Sequence, residues 1–255
     1  VTEPGAGRDR KAAIVTAASR GIGLAIAAGL VARGDRVLIT GRKPEALAEA
    51  VASLGGPRWA VGVAGKAHDE DHQQDAVARA IEAFGRVDFL VNNVGTNPVY
   101  GPLLEQPADV VRKILDINVL AALGWTRRVY EAWQREHGGA IVNVSSVAGL
   151  APAPGLGAYG MSKAALSYVT RQLALELAPA VRVNAVAPAV VKTRFAEALY
   201  EGREEQVASG YPLGRLGEPS DVAGAVAYLL SEASAWVTGQ TIVLDGGAGL
   251  AGTLA

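Results

Sequence analysis

The chain has 255 residues, half of them hydrophobic and 19% charged, with 24 Lys and Arg against 25 Asp and Glu. So much apolar material excludes a disordered chain, and a formal charge of −1 leaves no basic excess for a nucleic-acid backbone. With no cysteine, disulfides, thiolate catalysis, iron–sulfur clusters and cysteine-held zinc are excluded.

Val1 to Arg10 is polar and reads as a mobile arm, with no apolar stretch for a signal sequence. A strand is expected over 12–16, a helix over 22–33 ended by Gly34, and a strand over 36–40. A helix opened by Pro44 closes near Gly55. Further strands are expected at 59–63, 89–92, 140–145, 181–187 and 241–244, with helices at 71–84, 108–135, 159–177 and 219–230. Val- and Ile-rich strands with little polar alternation belong in sheets covered on both faces. The expectation is α/β: a single Rossmann-type doubly wound domain over 11–255, with a seven-stranded, mostly parallel sheet. Residues 189–217 form the longest irregular stretch and are expected to lie over the ligand crevice as a lid. No run approaches the roughly 18 apolar residues of a membrane span, so a cytoplasmic protein without membrane or nucleic-acid partners is expected.

Thr16, Ala17, Ala18, Ser19, Arg20, Gly21, Ile22 and Gly23 sit between the first strand and first helix. Small residues there let a pyrophosphate meet the N–H groups and positive end of the helix. An ordinary glycine turn remains an alternative; its position after the first strand favours the phosphate loop. After the second strand, where a carboxylate would meet an unmodified ribose, stands Arg42. With Arg20 it favours NADP(H), whose 2′-phosphate suits a guanidinium, over NAD(H), which stays possible. A solvated turn at Arg42 and Lys43 is the plainer reading.

Tyr159 and Lys163 are four apart, hence one turn apart on one helix face. A neighbouring ammonium would bring a phenol's pKa down toward neutrality by about 3 units, worth roughly 4 kcal/mol. Ser146 ends the preceding strand, where it would stabilise a carbonyl or alkoxide oxygen. Asn118 interrupts an apolar helix face, and Asn92 to Gly95 closes another strand.

Together these residues resemble the short-chain dehydrogenase/reductase family, as do the stretches 182–188, 214–219 and 238–247. The likeness spans Lys11 to Gly249 and looks nearest to bacterial 3-oxoacyl-carrier-protein reductases. It implies that Tyr159 donates or accepts the proton, Ser146 orients the carbonyl, and Lys163 binds the nicotinamide ribose and lowers the Tyr159 pKa. Asn118 would hold a water on the proton path. Asn92, Val94 and Gly95 would lie on the cofactor side, with Asn92 supporting the central strands or the adenosine. Pro188 and Thr193 would meet the nicotinamide amide, and Val191 would lie on the cofactor side. The implied activity is hydride transfer between NADP(H) and a ketone or secondary alcohol. Val94, Leu150, Ala151, Pro154, Leu156 and Val190 flank the carbonyl site and point to an apolar ketone or a 3-oxoacyl thioester. A homotetramer through 108–135, 159–177 and the C-terminal strand is implied as well, with Leu166, Val169 and Leu173 as interface or core.

Three departures from the family pattern stand out. Ala17 replaces a glycine, no aspartate follows the third strand at Val63 to Lys66, and Ala189 follows Pro188 in place of glycine. They keep a second reading open, a cofactor-binding sensor or scaffold with little turnover. His68 and His72 have helical metal-ligand spacing, but a solvated helix start explains them better and no metal is expected.

Overall fold

Strands with no polar alternation need cover on both faces, and the fold supplies it. The computed structural model describes residues 10–252. The expected arm, apart from Arg10, lies outside the described residues.

In chain order the elements are β1 (Ala12–Val15), α1 (Gly21–Ala32), β2 (Arg36–Gly41), α2 (Pro44–Ser53), β3 (Ala60–Ala64), α3 (Glu70–Phe84) and β4 (Phe89–Asn92). A long helical rod follows: α4 (Ala108–Leu115), α5 (Ala121–Val129) and α6 (Arg135–His137), joined by π-helical turns at Asp116–Leu120 and Tyr130–Gln134. Then come β5 (Gly139–Val144), α7 (Gly157–Leu177), β6 (Val181–Pro188), α8 (Glu204–Ala208), α9 (Pro219–Leu229) and β7 (Thr241–Leu244). All strand pairs are parallel, in the order β3-β2-β1-β4-β5-β6-β7. The order reverses between β1 and β4, and ligands of such sheets bind in the crevice beyond the carboxyl ends at that switch. This is the Rossmann-like arrangement expected.

Successive residues of a strand point to opposite faces. Ala13, Val15, Val37 and Ile39 therefore pack under α1, α2 and α9, while Ile14, Leu38, Leu90 and Ile141 pack under α3, α5 and α7. Caps set the helix ends: Asp69 accepts from the backbone N–H groups of Asp71 and His72, and Gly85, at φ 74°, closes α3. Asn92 Nδ2 donates to Asn143 Oδ1 (2.9 Å), Asn143 Nδ2 to Thr170 Oγ1 (2.9 Å), and Thr170 Oγ1 to the Leu166 carbonyl (2.9 Å). This buried polar chain ties β4 through β5 to α7.

Two expectations change. The helix at 108–135 is not uniform, because its two π turns each fit an extra residue into the rod. His72 is not solvated. It is buried edge-on against Trp125, with ring centroids 5.6 Å apart, under Gly65, where a Cβ would lie 2.2 Å from the imidazole. No cluster of His, Asp or Glu with metal-binding geometry forms among the described residues. No helix among them is long and apolar enough to cross a membrane.

Candidate active site

At the switch point the chain leaves β1 through Thr16, which is fully buried. Its hydroxyl donates to the Val91 carbonyl (3.3 Å) and accepts from the backbone N–H groups of Asn93 (3.0 Å) and Val94 (3.2 Å), riveting β1 to the end of β4. Ala17 follows with φ 52°, the left-handed conformation that glycine adopts freely and alanine does not. Its N–H donates to Thr40 Oγ1 (3.2 Å). Ala18 is buried and donates its N–H to the Thr40 carbonyl (2.9 Å). Ser19 lies beside Gly41, where a Cβ would come within 3.3 Å of its hydroxyl.

Gly21 also has a positive φ, 58°, and a Cβ there would meet Thr193 at 3.4 Å. Thr193, from the 189–217 segment, thus overlies the start of α1. Gly23 is more tightly constrained: a Cβ would meet Asn93 Nδ2 at 2.5 Å and the Ala17 carbonyl at 2.9 Å. Ile22 packs against the core beneath the loop. Arg20 caps α1, and both it and Arg42 are exposed. Neither forms an ion pair among the described residues.

On the other side of the switch, Ser146 lies two residues past β5 and caps a single 3-10 turn, Val147–Gly149, accepting from the Ala148 N–H (3.2 Å). The turn lies flush on α7. A Cβ on Gly149 would meet the Lys163 carbonyl carbon at 2.6 Å, and one on Gly160 the Ala148 carbonyl oxygen at 2.5 Å. This close approach sets the Ser146 hydroxyl near the Tyr159 phenol, close enough to pull its pKa down. Lys163, one turn along and buried, donates to the Val144 carbonyl (2.8 Å), its Nζ 5.7 Å from the centre of the Tyr159 ring. Ser146 also donates to the Pro188 carbonyl (3.5 Å), which joins β6 to the group.

Burial pushes the Tyr159 phenol up to about 12, the Ser146 hydroxyl pulling against that rise. Burial also pushes Lys163 down to about 8. The expected lowering of the Tyr159 pKa by Lys163 is therefore not what the chain by itself produces: desolvation disfavours both charges, and the ammonium is directed at Val144. At neutral pH the phenol keeps its proton, the form that can protonate a carbonyl oxygen.

Asn118 sits in the first π turn, fully buried. Its Oδ1 accepts from the Thr96 N–H (2.8 Å), and its Nδ2 donates to the Thr96 carbonyl (3.0 Å) and to Ser162 Oγ (2.9 Å). Both amide hydrogens are spent on the protein, so the side chain ties the 93–97 segment to α7 rather than presenting a donor to a water. Gly95 lies in the same contact; a Cβ there would be 3.4 Å from Lys163 Nζ. Val94, just before it in the chain, is held by Thr16.

The structure turns two of the expected cofactor residues inward. Asn92 is buried and donates to Asn143, Thr126 and the Ala122 carbonyl, because the strand's alternation sends it to the face opposite its neighbour. Val191 puts its side chain into the core, and its carbonyl accepts from Thr193 (3.3 Å).

Leu150, Ala151, Pro154, Leu156 and Val190 lie on loops about the cleft; Leu150 is 48% exposed, and Val190 donates its N–H to the Tyr211 hydroxyl (3.3 Å). Sequence reasoning missed two aromatic members of this rim. Phe195 tilts toward Tyr159 with ring centroids 6.2 Å apart, and Tyr100 lies on Gly155, where a Cβ would come within 2.4 Å of its ring. The 189–217 segment is anchored at its base by Lys192, which pairs with Glu204 (2.6 Å) and Glu218 (3.1 Å).

Residues 16–249 match a family described as enoyl-(acyl carrier protein) reductase. The chain is 41% identical over 246 residues to dehydrogenase/reductase SDR family member 4 of Bos taurus, covering 94% of this chain and 87% of that one. The human protein of the same name is 41% identical over 244 residues, covering 93% and 87%. Among solved structures, a short-chain dehydrogenase/reductase (glucose/ribitol dehydrogenase) from Brucella melitensis superimposes with a TM-score of 0.89 at 34% identity, covering 93% of this chain and 96% of that one. A short-chain type dehydrogenase/reductase from Mycobacterium ulcerans does so with 0.88 at 33%, covering 95% and 90%. The chain belongs to the short-chain dehydrogenase/reductase family.

As a short-chain dehydrogenase/reductase it is an oxidoreductase of the nicotinamide-dinucleotide class. The glycine turn, the exposed start of α1 and the Ser146–Tyr159–Lys163 group lie at the carboxyl ends of the strands, Gly21 taking the positive φ of its turn and Gly23 the close approach of the Asn93 amide. Sequence reasoning gave no role to Asn93, although it lies in the Asn92 to Gly95 stretch, nor to Thr40, Gly149 and Gly160. The last two betray themselves only as small residues beside Ser146 and Tyr159.

Proposed function

We propose that the chain transfers hydride between NADP(H) and an apolar ketone or secondary alcohol, 3-oxoacyl thioesters being one class that fits. The observation that carries this is Tyr159 beside Ser146, with Lys163 buried one turn along and held on the Val144 carbonyl at the carboxyl end of β5. Bound there, the reduced nicotinamide supplies the hydride. The chain's own groups do the rest. Ser146 would hold the carbonyl oxygen, Tyr159 Oη would give that oxygen its proton, and Lys163 would hold the ribose. In the reverse direction Tyr159 takes the alcohol proton. The phosphate loop, with Pro188 and Thr193, holds the dinucleotide.

Arg20 and Arg42 support the choice of NADP(H), because an exposed guanidinium without an anionic partner among the described residues suits a 2′-phosphate. Leu150, Tyr100 and Phe195 give the cleft an apolar rim. Val94, Ala151, Pro154, Leu156 and Val190 complete it. Assembly as a homotetramer fits the exposed stripe Met161, Tyr168 and Leu175 on α7 and Val243 on the edge strand β7, and a cytoplasmic location is part of the same proposal. Leu166, by contrast, is buried in the core, and Leu173 packs against the core from its margin. A monomer in light scattering would remove the assembly.

The test is a titration with NADPH and NADH followed by energy transfer from tryptophan. NADPH is expected to bind the more tightly, and Arg42→Asp to cost about ten- to a hundredfold in NADPH affinity, as loss of a charge-assisted hydrogen bond should, with little effect on NADH. An unchanged preference in the variant would remove Arg42 from the reading.

A further inference from the structure

We propose that Asn93 is a positioning residue of the phosphate loop: its side-chain amide holds Ala17 in the left-handed conformation and so sets the turn that presents the start of α1 to the dinucleotide. The proposal rests on the cofactor reading above for its functional half and on the geometry of the loop for its conformational half.

Ala17 is the one non-glycine residue with positive φ among the described residues. A turn that glycine would enter freely must here be imposed on a Cβ. The means is visible atom by atom. Asn93 Nδ2 donates to two successive carbonyls, Thr16 at 2.9 Å and Ala17 at 3.2 Å, while the Ala17 N–H is held from the opposite side by Thr40 Oγ1 at 3.2 Å. Both faces of the Ala17 peptide environment are thereby fixed by side chains from the neighbouring strand ends, β4 on one side and β2 on the other. Asn93 is itself anchored, its N–H donating to Thr16 Oγ1 (3.0 Å) and to the Val91 carbonyl (3.1 Å).

The same amide explains the loop's last glycine. A Cβ at Gly23 would lie 2.5 Å from Asn93 Nδ2, so the space a side chain would fill at the first turn of α1 is the space the Asn93 amide occupies. Asn93 thus touches the turn and the helix start together. A hydrophobic residue at 93 would offer neither carbonyl a donor, and a carboxylate would face both with an oxygen.

The experiment is a cycle of wild type, Asn93→Ala, Ala17→Gly and the double variant, each read by NADPH and NADH titration, by kcat at saturating NADPH, and by thermal midpoint without cofactor. Asn93→Ala is expected to weaken NADPH binding about tenfold, the scale of one lost buried donor, while kcat at saturation stays within about twofold. In the Ala17→Gly background the same substitution should cost about threefold or less, because glycine needs no clamp. The midpoint without cofactor should fall further with the native Ala17 in place than in the Ala17→Gly background.

Equal losses in both backgrounds would overturn the proposal, since they would make Asn93 a general support with no particular hold on Ala17. Unchanged NADPH binding in Asn93→Ala would overturn it too. If the wild type binds neither dinucleotide, the cofactor reading fails while the midpoint cycle still decides the clamp. Should Asn93→Ala fold only when paired with Ala17→Gly, that rescue supports the clamp. Asn93→Asp, which keeps the shape and removes the donor, then completes the cycle.

Discussion

The two sides of the cofactor crevice are held in shape by opposite means. At the phosphate loop, side chains grip backbone: Thr16, Thr40 and Asn93 hold a turn whose own residues are too small to hold it. At the catalytic side the decisive contact is backbone against backbone, although Ser146 and Lys163 also bond to backbone there. The 147–149 turn lies on α7 with no room for a Cβ at Gly149 or Gly160. A region clamped by side chains loses function in graded steps, one hydrogen bond at a time. A region set by close backbone contact has no intermediate state, because a single added carbon displaces the whole turn.

That contrast is open to attack. Tyr159→Phe removes the proton donor and leaves the backbone contact alone. NADPH-dependent ketone reduction should drop by about a thousandfold or more, within the range for a positioned general acid, with cofactor affinity nearly unchanged. Surviving turnover would break the mechanism. Gly160→Ala puts a Cβ 2.5 Å from the Ala148 carbonyl oxygen. Separating Ser146 from Tyr159 should lower kcat about a hundredfold, as misplacement of reacting groups does, and kcat close to wild type would show that the turn yields.

The buried ammonium gives a pH test. Because burial lowers Lys163 to about 8, the unfolded chain above that pH holds a proton that the folded chain has released, so stability rises with pH. Denaturation midpoints of wild type against Lys163→Met should show the wild type gaining about 2–3 kcal/mol between about pH 8 and pH 10. Beyond that range the stability of each chain by itself turns down, since Tyr159, raised to about 12 by burial, keeps in the folded state a proton that the unfolded phenol loses. A flat difference would mean that Lys163 is not desolvated. The smallest effect belongs to the clamped side. Thr40→Val leaves the Ala17 N–H without its acceptor and should weaken NADPH about fivefold, the scale of one hydrogen bond of about 1 kcal/mol. A loss as large as that of Gly160→Ala would erase the contrast.

Much of this is legible in the sequence. Unalternated Val and Ile runs announce buried parallel strands, and Gly34, Pro44 and Pro219 mark helix ends, because those signals are local. The spacing of Tyr159 and Lys163 puts them on one helix face for the same reason. What pairs of strands do together is not legible. Asn92 and Asn93 are identical in sequence, yet alternation sends Asn92 into the core and leaves Asn93 at the loop. Asn118 stands out as a polar residue on an apolar face, but its partners, Thr96 and Ser162, come from other segments. Spacing reveals one neighbour of Tyr159, Lys163, whereas burial by several elements decides the phenol's pKa. His72 reads as solvated because Trp125, which covers it, is remote in the chain.

The polar chain from Asn92 through Asn143 and Thr170 to Leu166 bears on how many ways the protein can pack. Hydrocarbon contacts between a helix and a sheet change little when the helix slips by a turn, since one apolar side chain takes the place of another. Such a slip of α7 would carry Tyr159 about 5.4 Å along the helix axis, and it would also take Thr170 away from Asn143. A buried amide left without its acceptor costs about 1–3 kcal/mol. The polar chain thus works as a ruler, and of the packings that grease alone would leave nearly degenerate it selects the one in which the tyrosine meets its serine.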